Sequence, residues 1–281
     1  MIKPLPDTPA LIIKTSSNSN LLVIADLHIG FEIELTSYGI MIPSQTKRIM
    51  QRVKKLIDSY SPSKLILLGD IKHEIGKISQ SEWVDIPNFL NELIKKNLNV
   101  EIILGNHDGN IEPLTPRSIV IHSARGIMIE TIKKVKVGLI HGHAWPSAKL
   151  FEAETIIMGH LHPLIELKDK LGFKFSEPVW VKIEFPTSKI IEGYLKYRKI
   201  KYSDPISTFE DMFDFTPKTK NLIIIPAFNT YLGGAVINKN IKKSSFVGPV
   251  SEIALNNEIS SEVYLLDGTF LGSIKSLRNF L

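Results

Sequence analysis

The 281-residue chain contains no cysteine. Disulfide bonds, thiolate zinc sites and thiol nucleophiles are therefore excluded. The apolar fraction of 43% is average for a globular protein, so a chain of this length can bury a substantial core. The composition does not indicate a disordered or fibrous protein.

Long apolar runs are also missing. A membrane span needs about 18 or more consecutive apolar residues, and the most apolar later stretch, residues 222–237, is interrupted by Pro226, Asn229 and two glycines. The first ten residues contain three prolines and an aspartate where a secretion signal would need an apolar segment. We therefore expect a cytoplasmic protein with no membrane partner. The oligomeric state is not defined by the sequence.

The formal charge is +5 at pH 7. This mild excess of positive charge is compatible with acidic substrates, among which phosphate esters and nucleic acids are natural candidates. Many other proteins are equally basic, so the charge alone does not define a function.

Short apolar runs alternate with amphipathic segments over the first 165 residues. The patterns predict strands at residues 11–13, 21–25, 64–68, 100–104, 135–140 and 155–158. A helix is predicted after Ser44, its N-cap, and a second helix includes residues 89–94. Strands that alternate with helices are typical of an α/β sheet.

The pattern changes after about residue 163. Strands are predicted at 179–185, 221–225 and 263–266, so residues 163–281 are expected to be a mainly β continuation of a single domain covering residues 1–281. The segment 182–220 interleaves tyrosines with lysines and arginines, most densely in residues 194–202. We interpret it as a surface hairpin or a partly ordered insertion, with a surface for single-stranded nucleic acid as the alternative.

Five of the predicted strands end in a short motif of acidic or histidine residues. The motifs are Asp26-Leu27-His28, Gly69-Asp70, Gly105-Asn106-His107-Asp108, His141-Gly142-His143 and Gly159-His160-Leu161-His162. Because ligands of open α/β sheets bind outside the carboxyl ends of the strands, five such motifs predict one site. Seven of the eight histidines lie in or next to these motifs, and His122 is the exception. We expect His122 to be structural.

In their order along the chain, these motifs resemble those of the calcineurin-like metallophosphoesterase superfamily. The resemblance covers the first 165 residues or so. A finer similarity, to archaeal and bacterial phosphoesterases described as ligase-associated or nuclease-related, rests on three further segments. These are residues 69–74, with the sequence GDIKHE, residues 225–229, IPAFN, and residues 266–269, LDGT.

The resemblance implies a four-layer αββα sandwich, in which helices flank two packed mixed β-sheets. It also implies two divalent metal ions, Mn²⁺ foremost, with Fe²⁺, Zn²⁺ or Ni²⁺ as alternatives. The first ion would be held by Asp26, His28 and His162, the second by Asn106, His141 and His160, and Asp70 would bridge them.

The resemblance further implies that His107 is the catalytic proton donor or transition-state stabiliser, with Asp108 orienting its imidazole. His73 and His143 each flank a candidate ligand, and we interpret them as candidate substrate-binding residues. Any one of these residues alone could have a purely structural role, as a helix cap, a turn residue or a core histidine. The occurrence of all the motifs together favours a functional site.

The sequence thus favours a phosphoesterase that hydrolyses phosphodiester bonds, with nucleic acid or nucleotide as a candidate substrate, by attack of a metal-activated water. One alternative is a small-molecule phosphomonoesterase or cyclic-nucleotide phosphodiesterase. Another is a metal-stabilised binding module without activity. A nucleic-acid-binding protein that uses residues 194–202 is the third.

Overall fold

The computed structural model describes residues 1–96, 98–239 and 247–278, where fourteen strands form two sheets. The first sheet contains β1 (Ile2–Pro4), β2 (Ala10–Lys14), β3 (Asn20–Ile24), β4 (Lys64–Leu67), β5 (Asn99–Ile103) and β6 (Val120–His122). The second sheet contains β7 (Ile127–Glu130), β8 (Lys136–Ile140), β9 (Thr155–Met158), β10 (Leu164–Lys168), β11 (Lys174–Glu184), β12 (Asn221–Ile224), β13 (Ser260–Leu265) and β14 (Phe270–Gly272).

Seven α-helices lie in the same described ranges. They are α1 (Phe31–Ser37), α2 (Thr46–Tyr60), α3 (Gln80–Ile94), α4 (Thr187–Tyr197), α5 (Pro205–Phe213), α6 (Pro249–Asn256) and α7 (Ile274–Arg278). Short 3-10 helices occur at Glu112–Leu114 and Ala148–Glu152. None of the described helices is long and apolar enough to cross a membrane.

Both sheets are mixed. In the first, the strands follow chain order, with β1, β2 and β3 antiparallel and β3 to β6 parallel. In the second, the order is β14-β13-β11-β12-β9-β8-β7, and the parallel strands are β12, β9 and β8. The strand β10 pairs with the first half of β11. Because β12 pairs with β9 directly, the second half of the chain completes the sheet begun by the first half.

The two sheets pack face to face with helices outside them. On β3, Leu21 and Val23 belong to an apolar cluster shared with Leu139 and Ile157 of the second sheet. The alternate residue Leu22 belongs to a cluster with α2 and α3, as the period of two in a strand requires. A third cluster joins the second sheet to α4, α5, α6 and α7. The predicted four-layer αββα sandwich is confirmed.

The expectation of a hairpin or insertion at residues 182–220 was wrong, because helices α4 and α5 occupy most of this segment. The residues after 163 are accordingly not mainly β. The apolar positions Ile190, Ile191, Tyr194 and Leu195 have helical spacing and are all buried. The helical spacing is difficult to recognise in the sequence because β-branched residues and many lysines are interspersed with these positions. The short α1 was not predicted either.

Candidate metal centre

Polar side chains that follow the ends of five strands lie together in one region of the molecule. Strands β3, β4 and β5 run parallel in the first sheet, and β8 and β9 run parallel in the second. The backbone after these strands turns sharply. Five non-glycine residues there have positive φ: Asp26 (60°), His28 (43°), Asp70 (54°), His160 (66°) and His162 (44°). Such conformations cost free energy, and they cluster where function requires a fixed side-chain direction.

The first donor group consists of Asp26, His28 and His162. One donor atom from each lies within 4.8 Å of the others, and all three side chains are buried. The Nδ1 of His162 lies 3.0 Å from the carbonyl oxygen of Gly233, and its Nε2 lies 3.2 Å from Oδ1 of Asp26. The backbone carbonyl therefore fixes the ring so that Nε2 points into the group.

The second donor group consists of Asp70, His141 and His160, again buried and within 4.8 Å of one another. The Nδ1 of His141 donates to the carbonyl oxygen of Leu68 over 2.9 Å, and this bond directs Nε2 inward. Oδ1 of Asn106 lies 3.3 Å from that Nε2. The amide oxygen of Asn106 is therefore placed beside the second group.

Asp70 connects the two groups through one oxygen atom. Its Oδ2 lies 3.4 Å from Nε2 of His28 and 3.2 Å from Nε2 of His141. Its Oδ1 accepts the backbone N–H of His107 over 2.9 Å. The carboxylate is thus held by the chain at one oxygen and shared between both groups at the other.

Burial and neighbouring charges set the protonation of these donors. Burial lowers the pKa of His28 to about 4 and that of His160 to about 3. Burial would also lower the pKa of His141, but the carboxylates of Asp70 and Asp26 outweigh it and raise the pKa to about 9. Two imidazoles are therefore neutral and ready to bind a cation at neutral pH. The third carries a proton that a cation would displace.

Both groups fit divalent cations. They combine carboxylate and imidazole donors, and the amide of Asn106 lies beside them, which is a set suited to borderline-hard ions such as Mn²⁺, Fe²⁺ or Zn²⁺. Nε2 of His28 is buried and makes no hydrogen bond of standard geometry to a described residue. A bound cation would satisfy that nitrogen.

The imidazole of His107 lies beside both groups. Its Nε2 is 3.9 Å from Oδ2 of Asp70, and its ring centroid is 4.6 Å from that of His28. Its Nδ1 is hydrogen-bonded to the carbonyl oxygen of His73. A carbonyl can only accept, so Nδ1 is the protonated donor and Nε2 faces the donor groups.

Asp108, which the resemblance implied would orient the His107 imidazole, binds backbone groups of the surrounding loops in the structure. Asp108 is buried, and its two oxygens accept backbone N–H groups of Gly105, Asp70, Ile71 and Lys72. Burial, reinforced by the charge of Asp70, raises the pKa of Asp108 to about 6. Asp108 therefore holds together the two loops that carry Asp70 and His107, while the carbonyl of His73 orients the imidazole.

His73 and His143 lie on opposite sides of the centre. Nδ1 of His73 is 3.2 Å from Nδ1 of His28, and its Nε2 pairs with Glu34 over 2.8 Å. The ring of His143 is 5.3 Å from that of His141, and its buried Nδ1 has no hydrogen-bond partner among the described residues. His122 instead pairs with Glu101 over 2.8 Å and belongs to neither donor group.

Sequence reasoning missed a loop, residues 225–234, that closes the first group. The backbone N–H of Asn229 donates to the carbonyl of Asp26, and its side-chain amide donates to that of Leu27 over 3.1 Å. A Cβ on Gly234 would lie 1.9 Å from the carbonyl oxygen of His162, so the two backbones touch. The only signal was the sequence of residues 225–229, which carries part of the family resemblance but indicates no role in the site.

An αββα sandwich that brings aspartates, histidines and an asparagine together at the ends of five strands has the donor set of a metal-dependent hydrolase. The sequence model of the calcineurin-like phosphoesterase family matches residues 19–191, more than half of the chain, and the chain belongs to this family. It is a hydrolase that acts on phosphoester bonds.

The solved structures that are similar to the chain include a nuclease and a phosphoesterase. The nuclease MPE of Pseudomonas putida is 18% identical, with 96% of this chain and 100% of that chain covered and a TM-score of 0.48. The phosphoesterase YfcE of E. coli is 19% identical, with 53% of this chain and 73% of that chain covered and a TM-score of 0.35. Neither similarity carries information on the substrate. Among curated proteins, none matches the chain significantly.

The replacement Gly105→Ala tests how closely the loops must approach. A Cβ at position 105 would lie 2.1 Å from Oδ1 and 2.3 Å from the backbone nitrogen of Asp70. We expect kcat/KM for a phosphoester to fall about 100-fold, since a misplacement of about 1 Å can cost that much. Steady-state hydrolysis of a chromogenic diester measures it. Gly109→Ala is the matched control, because a Cβ there meets nothing within 4 Å. Equal losses in both variants would contradict the argument.

Proposed function

We propose that the chain is a dinuclear-metal-dependent phosphoesterase that hydrolyses phosphodiesters. The observation that carries this proposal is the position of Asp70, whose Oδ2 lies within 3.4 Å of an imidazole nitrogen in each donor group. A carboxylate so placed can bridge two cations. One group alone would support only a single-metal site.

In this proposal Asp26, His28 and His162 hold one ion, and Asn106, His141 and His160 hold the other. Mn²⁺ is the first candidate, with Fe²⁺, Zn²⁺ or Ni²⁺ as alternatives. Two such ions supply positive charge that polarises a phosphoryl group and lowers the pKa of water.

The chain itself supplies the remaining chemistry. With Nδ1 of His107 donating to the carbonyl of His73, Nε2 is the ring atom that can donate a hydrogen bond or a proton to the leaving oxygen when the ring is in its imidazolium form, which leaves the neutral imidazole behind. Asp108 keeps His107 in place indirectly, through the backbone of both loops. His143 is the candidate contact for the substrate phosphate, because its buried Nδ1 faces no described hydrogen-bond partner.

We favour a phosphodiester, with a nucleic acid or nucleotide as the candidate substrate. The net charge of +5 and the finer motif resemblance support this choice. A small-molecule phosphomonoesterase or cyclic-nucleotide phosphodiesterase is the alternative within the same chemistry. A cytoplasmic location stays a prediction.

Metal removal tests the proposal. The purified chain is expected to hydrolyse bis(p-nitrophenyl) phosphate, to lose this activity after chelation and to regain it with Mn²⁺. Metal analysis should find two ions per chain. An active chain that retains its rate without metal, or a metal-loaded chain that hydrolyses no phosphoester, would refute the proposal.

A substrate panel separates the alternatives. It compares p-nitrophenyl phosphate, a cyclic nucleotide, bis(p-nitrophenyl) phosphate and single-stranded DNA and RNA under the same metal conditions. We expect kcat/KM to be higher for bis(p-nitrophenyl) phosphate and the oligonucleotides than for the monoester or the cyclic nucleotide. A preference for the monoester or the cyclic nucleotide would favour the small-molecule alternative.

A further inference from the structure

A basic and aromatic pocket lies beside the metal centre. It has a volume of about 400 Å³. Its lining consists of Arg125, Trp145, Pro146, Tyr194, Tyr197, Arg198 and Lys199. Three of these described residues are cationic and three are aromatic, and none is acidic. We propose that this pocket binds a segment of single-stranded nucleic acid next to the phosphate being cleaved, an inference that rests on the proposed function.

Two residues that line the pocket are close in sequence or in sheet pairing to residues of the metal centre. Trp145 follows His143 by two residues, so their Cα atoms are at most about 7 Å apart. The ring of His143 is in turn 5.3 Å from that of His141. Arg125 precedes β7, which is antiparallel to β8, and the pairing of Ile127 with Leu139 places it near the end of β8. The pocket is therefore separated from the second donor group only by the short segment of residues 141–145.

The aromatic side chains form a platform of the kind that bases stack on. The rings of Trp145 and Tyr197 are stacked, with centroids 5.7 Å apart and planes 24° apart. Tyr194 packs edge-on against Trp145 on the buried side of the pair and is only 3% exposed. Tyr197 is 57% exposed, so one ring of the platform remains open. Stacking on such rings tolerates any base.

The cations surround this platform. Arg198 donates to the hydroxyl of Tyr194 over 3.2 Å, which places its guanidinium at the pocket wall. Arg125 and Lys199 are exposed at the rim. Lys199 has φ of +57°, and this turn after α4 brings it to the same side as Arg198. Exposed cations beside an aromatic platform match the alternation of phosphates and bases in a single strand.

A structural role for Arg198 and Lys199 is the competing explanation, because cations at the carboxyl end of a helix stabilise its dipole. That explanation does not account for Arg125, which lies on a different element. It also leaves the stacked, exposed Tyr197 without a role. If the pocket binds nucleic acid, reversing the charges should weaken nucleic acid affinity. If the cations only stabilise the helix dipole, the same change should lower only the stability of the fold.

The test measures binding of a labelled phosphorothioate oligothymidylate about 12 nucleotides long, within the site sizes of about 4–16 nucleotides known for such surfaces. Fluorescence anisotropy is recorded with the Mn²⁺-loaded chain. Tyr197→Ala and Trp145→Leu are each expected to weaken binding about 5- to 150-fold. Trp145→Phe, which keeps a ring, should recover most of the affinity. The matched aromatic control is Phe173→Ala, at a 70% exposed ring on the turn between β10 and β11.

The charge test is the double change Arg125→Glu and Lys199→Glu. We expect the slope of log affinity against log salt to fall by about 0.7 for each phosphate that the protein no longer neutralises. The control, Lys133→Glu with Lys170→Glu, reverses the same charge at exposed turns outside the pocket. An oligouridylate probe distinguishes RNA from DNA as the preferred strand.

The outcomes separate this inference from the proposed function. Unchanged affinity and salt slope in the pocket variants would overturn the pocket assignment, even if the chain hydrolyses diesters. Loss of thermal stability with normal affinity would favour the helix-dipole explanation and would also overturn it. Thymidine monophosphate that competes as well as the oligomer would show that a nucleotide, not a strand, occupies the pocket. A chain with no hydrolytic activity, but with the expected binding losses, would refute the proposed function alone.

Discussion

Asp70→Asn protein is expected to lose nearly all phosphoester hydrolysis and to bind Mn²⁺ at least about 100-fold more weakly. The Oδ2 atom of Asp70 is close to an imidazole of both donor groups, at 3.4 Å and 3.2 Å. Losing a residue that merely orients a metal ligand costs about 10–100-fold in metal affinity, so losing the charge of a shared donor should cost more. Isothermal titration with Mn²⁺ and initial rates on a chromogenic diester measure the two effects.

The amide is chosen because it preserves local structure. Oδ1 of residue 70 can still accept the N–H of His107, which the carboxylate accepts over 2.9 Å. The unfolding temperature of the metal-free protein should nevertheless fall at neutral pH, because the amide no longer offsets the charge of the buried His141 imidazolium. Asp267→Asn, at an exposed turn where Oδ1 accepts the N–H of Thr269, is the matched control. If Asp70→Asn protein bound two ions and turned over normally, the bridging role would be refuted.

The same variant offers a readout that does not depend on activity. Burial opposes protonation of His141, and the carboxylates of Asp70 and Asp26 nevertheless raise its pKa to about 9. Without the charge of Asp70, the pKa of His141 in the metal-free protein should fall. An NMR titration of the imidazole resonances measures this shift. A pKa that stays near 9 would show that Asp70 is not the dominant neighbour.

His107→Gln is expected to lower kcat by about 10²–10⁴-fold while metal content stays the same. The range is what a positioned proton donor typically contributes. His107 forms a third, all-imidazole group of possible donors with His28 and His73, but it lies outside both carboxylate-containing groups, and its Nε2 is 3.9 Å from Oδ2 of Asp70. Its removal should therefore affect the chemical step and not the binding of cations. Steady-state kinetics and metal analysis on the same preparation check both parts.

Leaving-group dependence distinguishes proton donation from a structural role. A nitrophenolate leaves easily without a proton, whereas an alkoxide needs one. The loss in His107→Gln protein should therefore be smaller for a nitrophenyl diester than for an alkyl diester. His122→Gln serves as the control, because His122 pairs with Glu101 and belongs to neither group. An equal loss with both leaving groups would contradict proton donation.

Local patterns in the sequence were sufficient for most strands. The run predicted at 155–158 coincides with β9, the run at 64–68 is one residue longer than β4 at its end, and the run at 100–104 is shifted by one residue from β5. Buried parallel strands are short apolar runs, and their residues need no distant partner to be recognised. The same patterns failed for α4, where a helical period is mixed with lysines and β-branched residues.

Roles within the site depended on contacts that local patterns cannot contain. Asp108 is adjacent to His107 in the sequence, yet its carboxylate binds the backbone of residues 70–72. Helix α3 and strand β5 lie between these two segments in the chain, and only their packing brings the segments together. The His107 imidazole is oriented by the backbone carbonyl of His73, and a sequence motif records side chains but not backbone contacts. Backbone groups are present at every residue and therefore leave no trace in a sequence.

The sequence by itself determined most of the strands and the polar motifs at their ends, because apolar runs and adjacent motifs are local properties. The αββα class and the family followed from the resemblance of those motifs to a known family. Only the tertiary structure decided how these residues are grouped. It placed Asp26 beside His162 and Asp70 beside His141, and it closed the site with residues 225–234. It also brought Arg125, Trp145 and the end of α4 into one pocket. These pairings join segments far apart in the chain, and they follow from how the two sheets pack, which no single segment specifies.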